Sequence, residues 1–246
     1  TLIVLLTTSS LAFSQTFTQD IENVLTDMVF LSKRFVAQAA DASVYQSTSA
    51  WYTSARSLEK FEVDASLHFN ALFIPGSQKD HTVSNSDFVS MTIRGGAQSA
   101  TIPTALGGDT NTFFDFTIDG EQYELQAFEG VKEDVLLHPY LQASVGLWKE
   151  TDVTLRYSPK IKIDASDYQI FGAAIKHNLT QHFVKNDSIR KGVEVAVLAS
   201  YSKFDLDLIF DEFVLEPSNP QPGSAPLAVI NSIIVDADAW LFQLIA

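Results

Sequence analysis

The chain of 246 residues contains no cysteine, which excludes a disulfide framework and any thiolate metal site. That absence is compatible with an oxidising export route. Basic residues are few: 16 Lys and Arg stand against 30 Asp and Glu, a formal net charge of −14. Nucleic-acid binding wants a basic patch, so this balance argues against it. An acidic surface suits solubility, or external loops that hold divalent cations. After the first 14 residues no apolar run approaches the length of a membrane-spanning helix. G-x-S-x-G elbows and phosphate-cradling glycine loops are missing too. A lipase-type Ser–His pair can still assemble in space, but the expectation is a non-enzyme with no cofactor and no resident metal. Of the five histidines, His177 and His182 stand five apart and would face opposite ways within one strand. A shared metal there needs a turn between them.

What is present is alternation. From Phe61 to Pro75 the odd positions Phe61, Val63, Ala65, Leu67, Phe69, Ala71 and Phe73 are all apolar. The even positions Glu62, Asp64, Ser66, His68 and Asn70 are polar. Period two over this length means an extended strand with one apolar and one wet face. Soluble strands average about 5–6 residues, whereas a strand tilted across a bilayer needs roughly 9–11. The alternation therefore points to a transmembrane barrel with lipid outside and a polar lumen. A soluble sandwich is the rival, and it would need a second sheet over the whole apolar face.

Other segments fill in the plan. Leu2–Leu6 is apolar, and Ala12-Phe13-Ser14 frames a small-residue cleavage site before Gln15, so residues 1–14 read as a truncated secretory leader. From Thr18 to about Ala40 the period changes: Ile21, Val24, Leu25, Met28, Leu31 and Phe35 form a helical stripe, with Thr18 as its cap. Such a helix, with its linker to residue 56, would plug the barrel or pack beneath it. Trp51 and Tyr52 suit an interfacial aromatic girdle. A return strand is expected at Val89–Ile93, then a long external loop over residues 95–139. Within that loop Asp119-Gly120 signals a hairpin. Alternating strands resume from Tyr140, with a bulge expected at Pro159, a loop at Pro217–Pro226 and a last strand from about Ala228. The pattern is still running at Ala246, so the barrel, residues 57–246, is read as C-terminally truncated.

Several blocks carry a family resemblance: Trp51-Tyr52-Thr53-Ser54-Ala55, Asn70-Ala71-Leu72-Phe73-Ile74-Pro75, Pro103-Thr104-Ala105-Leu106-Gly107-Gly108, Leu155–Lys162 and Phe171–Leu179. Together they resemble an uncharacterised family of Gram-negative outer-membrane barrels, distantly similar to the long-chain fatty-acid transporters. The resemblance implies a barrel with an N-terminal segment associated with its lumen, and no defined substrate.

The resulting expectation is an all-β fold: a transmembrane antiparallel β-barrel, incomplete in this fragment, with an N-terminal amphipathic helix. Its location is the outer membrane of a Gram-negative bacterium. Its expected partners are outer-membrane lipid and a small apolar ligand, taken up or bound passively, with no nucleic acid. The alternative is a structural or surface-binding protein acting through its external loops. Lumen-facing candidates are Glu62, Asp64, His68 and Asn70 on one strand and Arg156, Lys160 and Lys162 on another. Opposed acidic and basic rungs either pair structurally or form a selectivity constriction.

Overall fold

The structure is a computed structural model and describes residues 2–52, 54–163, 166–184, 194–215 and 228–246. The Pro217–Pro226 loop lies outside the described residues. The chain is mostly β, with one long N-terminal helix and one large antiparallel sheet.

Helix α1 runs Leu2–Thr48, longer at both ends than its apolar period suggests. No Gly or Pro occurs before Pro75, so nothing in the sequence breaks the helix early. Thr18 consequently sits inside the helix rather than capping it. The helix stops where Ala50 takes a left-handed conformation (φ 51°), a C-terminal stop made here without glycine.

Eleven strands are described. The large sheet holds β1 (Val63–Phe73), β7 (Val135–Gly146), β8 (Thr151–Ile163), β9 (Ser166–Asn178), β10 (Ala196–Leu215) and β11 (Ala228–Ile245), in that order. β1 and β11 are its edges, and no closed ring of strands forms among the described residues. The others are short: β2 (Asp80–Ser84) pairs with β4 (Ser99–Pro103). β3 (Thr92–Ile93), β5 (Phe113–Ile118) and β6 (Glu121–Gln126) form a third sheet. The chain divides into two compact units. The first comprises residues 1–39, 74–134 and 209–233, the second residues 40–73, 135–208 and 234–246.

In the first unit, Val24, Met28 and Leu31 of α1 join Val83, Met91, Ile93, Ile102, Phe114, Phe116, Ile118 and Leu125 in one buried core. Leu25, expected on the same stripe, is exposed. Asp27 interrupts that core and is itself buried. One carboxylate oxygen accepts the Val89 N–H (2.7 Å); the other accepts the Ser90 and Met91 N–H groups (both 2.8 Å) and the Ser90 hydroxyl (3.0 Å). It pins to the helix the stretch expected to be a return strand, of which only Thr92–Ile93 enters a sheet. The supposed loop over residues 95–139 is thus ordered structure: residues 95–134 belong to this core, and Val135 begins β7. The Asp119-Gly120 turn closes the β5–β6 hairpin with both residues at positive φ (51° and 81°), the left-handed pair such two-residue turns require. Gly130 lies so close to the backbone that a Cβ would stand 2.3 Å from the Thr104 carbonyl oxygen.

In the second unit β1 pairs with β7 along its full length, from Val63↔Val145 to Phe73↔Val135, with residues 74–134 inserted between the two strands. Its faces are inverted relative to a water-soluble sheet. One face presents Phe69 (73% exposed), Phe73 (74%), Leu137 (65%), Leu155 (52%) and Ile175 (49%). The opposite face buries Asp152, Thr154, Arg156, Ser158, Lys176, Asn178, Ser200 and Ser202. The register breaks between Ser158 and Ile161, the expected bulge, and the extra residue shifts the parity of β8. Lys160 and Lys162 therefore leave the Arg156 face for the outer one. There Lys162 lies opposite Asp167, and Lys160 reaches Asp167 (3.0 Å) and Asp207 (3.3 Å).

Candidate functional site

The polar face of the large sheet is covered by the chain's own residues 47–52 and 54–58, and Arg156 is the centre of that contact. Arg156 is 1% exposed, and among the described residues no carboxylate pairs with it. A guanidinium carries five N–H donors, and all five are used. Nε donates to Gln142 Oε1 (3.2 Å). Nη1 donates to the carbonyls of Ser47 (3.2 Å) and Ser49 (2.9 Å). Nη2 donates to the Ala50 carbonyl (3.0 Å) and Gln142 Oε1 (2.9 Å). Those carbonyls end α1, so the cation sits at the negative end of the helix dipole, which serves as its counter-charge. The guanidinium also lies between the rings of Trp51 (4.0 Å to the centroid) and Tyr140 (4.3 Å).

Beyond Ala50 the same pattern continues. Gln142 Nε2 donates to the Trp51 carbonyl (3.1 Å), and Lys176 Nζ to the carbonyls of Ser54 (3.2 Å) and Arg56 (2.5 Å). Asn178 Nδ2 donates to the Ala55 carbonyl (3.3 Å). Lys176 also pairs with Asp152 (3.0 Å), whose other oxygen accepts the Leu58 N–H (3.1 Å). The Tyr52 hydroxyl meets Thr154. Trp51 fits because position 172 is glycine: a Cβ there would stand 2.8 Å from two indole carbons.

Beside this covering segment a cavity of about 200 Å³ remains, lined by Asp64, Ser66, His68, Gln142, Ser144 and Lys176 together with Trp51 and Arg56. His68 bonds to Ser66 (2.8 Å) and stacks flat on Tyr140 (centroids 4.9 Å, planes 3° apart). The stack continues through His138 and Tyr168 to Phe204.

The expected site residues therefore separate. Asp64, His68, Asn70 and Arg156 share the covered face, with Asn70 donating to the Ser49 hydroxyl (3.1 Å). Glu62 precedes β1 and accepts the Glu59 N–H (2.7 Å), a local turn contact. Lys160 and Lys162 are on the other side. Trp51, expected in an interfacial girdle, is instead buried against Arg156 and Gly172. Lys176, Gln142 and Asn178 were not singled out as site residues from sequence, and the parity that Lys176 shares with Gly172 and Asn178 was its signal. Among the described residues no group of three or more His, Asp or Glu stands close enough to hold a metal ion.

Fold and site together define a mostly β protein whose dominant sheet hides its polar side and bares its apolar side. Residues 1–246 match the model of a family of unknown function, DUF6588, and the protein belongs to that family. No curated protein and no solved structure matches the chain.

Proposed function

We propose that this protein is an outer-membrane β-barrel, plugged by residues 47–58, that binds or passes small apolar molecules. The observation that carries the reading is the inversion of the large sheet. An apolar patch of this size is rare on a soluble monomer, and in lipid it is the required outer surface. β1, with 11 residues, is long enough. Ten steps of about 3.4 Å, tilted by about 45°, rise about 24 Å, close to the roughly 25 Å apolar band of such barrels. The band is also oblique to the strands. It spans Val63–Phe73 on β1 and Val135–Val145 on β7, then only Val153–Tyr157 on β8 and Phe171–Ile175 on β9, where Gln169 and Asp167 replace it. Tilted strands crossing a slab present that outline. The apolar cargo rests on the distant similarity to fatty-acid transporter barrels alone; the residues lining the cavity beside the plug are mostly polar.

A barrel in lipid must have both sheet edges paired, and heat-modifiable gel mobility reads that closure. The full-length gene product, fractionated from a Gram-negative host, should be recovered in the outer membrane and shift on heating. Phe69→Arg, costing about 2–4 kcal/mol at a bilayer midplane, should weaken both. A soluble periplasmic product with no heat shift would sink the proposal.

A second reading, binding at the surface, is favoured by the folded core within residues 74–134, which can present a fixed surface. Excising residues 76–132 and joining β1 to β7 by a short turn separates the two. Solute entry in liposome swelling that survives the excision, with surface binding lost, assigns the work to the inserted unit. Altered swelling with no loss of binding assigns it to the sheet.

A further inference from the structure

We infer that His177 and His182 form a binding site for a divalent transition-metal ion such as Zn²⁺ or Ni²⁺. Asn178 ends β9, and helix α2 (Thr180–Phe183) turns the chain back, so the two imidazoles meet with their Nε2 atoms 3.0 Å apart. The turn is fixed from several sides. Asn178 Oδ1 accepts the Thr180 N–H (2.8 Å), Thr180 Oγ1 accepts the Val195 N–H (2.7 Å), and Gln181 Nε2 donates to the carbonyls of Lys149 (2.7 Å) and Asn178 (2.8 Å).

One tautomer of His177 suits a metal ligand. Thr151 Oγ1 contacts both the Lys149 carbonyl (3.2 Å) and His177 Nδ1 (2.8 Å); when its proton goes to the carbonyl it accepts from Nδ1–H. His177 then carries its proton on Nδ1 and a lone pair on Nε2, aimed at His182. A metal-bound histidine is held in the same way, by an outer hydrogen bond on the nitrogen away from the ion. Ligands at about 2.0–2.1 Å from one ion, at angles between 90° and tetrahedral, lie roughly 2.9–3.4 Å apart. The 3.0 Å separation falls in that range, and with the ring centroids 5.2 Å apart the imidazoles meet nearly head-on, so each ring must rotate to turn its lone pair onto a shared ion. The ligands are imidazole nitrogens, which select Zn²⁺, Ni²⁺ or Cu²⁺ over Ca²⁺ and Mg²⁺. His182 is exposed, so water can complete the coordination.

The test is calorimetric titration of the folded full chain with ZnCl₂ and NiCl₂, beside His182→Gln and Thr151→Val, with CaCl₂ as the control. Wild type should bind Zn²⁺ and Ni²⁺ and give no signal with Ca²⁺. His182→Gln, at an exposed position, should lower affinity at least about tenfold, and Thr151→Val by on the order of tenfold. Cu²⁺ bound to wild type should show electron-spin coupling to two imidazole nitrogens. Absence of Zn²⁺ binding, or equal isotherms for wild type and His182→Gln, overturns the site and leaves only a hydrogen bond between the rings.

Discussion

Replacing Arg156 by alanine removes the cation from the end of α1 while leaving the backbone of β8 intact. The carbonyls of Ser49 and Ala50 take their hydrogen bonds from Arg156, whereas that of Ser47 keeps those from Trp51 (3.1 Å) and Ser202 (3.0 Å). Gln142 Oε1 is buried and loses both its donors, a cost of about 1–3 kcal/mol. The carbonyls of Ser49 and Ala50 are only partly buried and cost less because water reaches them, and the lost stacking between Trp51 and Tyr140 adds about 2 kcal/mol. Recovered desolvation of the guanidinium and water entering the gap offset part of this. A net loss of about 3 kcal/mol remains, roughly 150-fold in the docking equilibrium of residues 47–58. Hydrogen exchange read by mass spectrometry on the folded full chain measures it directly. Amides of 47–58 should exchange on the order of a hundred times faster in Arg156→Ala, with β7 and β8 unchanged. Arg156→Lys should fall between, because an ammonium keeps the charge but lacks the planar fork. Equal exchange of 47–58 in Arg156→Ala and wild type would refute the view that this residue holds the segment down.

Three further outcomes are expected. Gly172→Ala places a methyl group against the Trp51 indole, an overpacking worth about 1–3 kcal/mol; Trp51 emission, read with Trp148 and Trp240 changed to Phe, should shift to the red. Asp27→Ala strands the N–H groups of Val89, Ser90 and Met91 and should cost the first unit about 3–5 kcal/mol, seen as faster proteolysis within residues 74–134 while the large sheet stays protected. Asp27→Asn should be milder. Burial, helped by Arg34 and opposed by Asp80, holds His81 below its ordinary value of 6.5. Protonation is therefore favoured in the unfolded chain: the stability His81 contributes is complete above about pH 6.5 and is lost as pH falls through its lowered value. Exchange protection of the first unit, corrected for intrinsic rates, should drop from pH 7 to pH 5, and His81→Leu should flatten that slope. An unchanged slope would count against it.

Where a single face decides the outcome, the sequence was readable. Strict alternation placed β1 within two residues of its ends, and the stripe Val24, Met28, Leu31, Phe35 named the buried side of α1. Asp119-Gly120 and Pro159 marked a turn and a bulge through backbone constraints that are local. Pairing was not local. β1 meets β7 across the inserted residues 74–134, while periodicity suggested the nearer Val89–Ile93 as its partner. The helix was drawn too short because apolar period, rather than the lack of breakers, set its limits. Lys160 and Lys162 were misplaced by the same bulge that was foreseen, since one added residue reverses every later side chain. Asp27 did leave a sign: a carboxylate three residues after Val24 and four before Leu31 lies within the apolar stripe, where only a fully bonded one can stay.

The sheet holds the covering segment chiefly by its carbonyl oxygens. Those of Ser47, Ser49, Ala50, Trp51, Ser54, Ala55 and Arg56 accept from Arg156, Gln142, Lys176, Asn178 and Ser202. Every residue type offers a carbonyl, proline included. Apart from Ser47, Ser49, Trp51, Tyr52 and Ser57, whose side chains are also engaged, and the buried Ala55, the identity of these residues is therefore under weak constraint. Mutational drift can accumulate in the segment without loosening it, while the donors on β7, β8 and β9 cannot change. In a library randomised over both partners, tolerated diversity should gather at the exposed positions 54 and 56 and vanish at 142, 156 and 176.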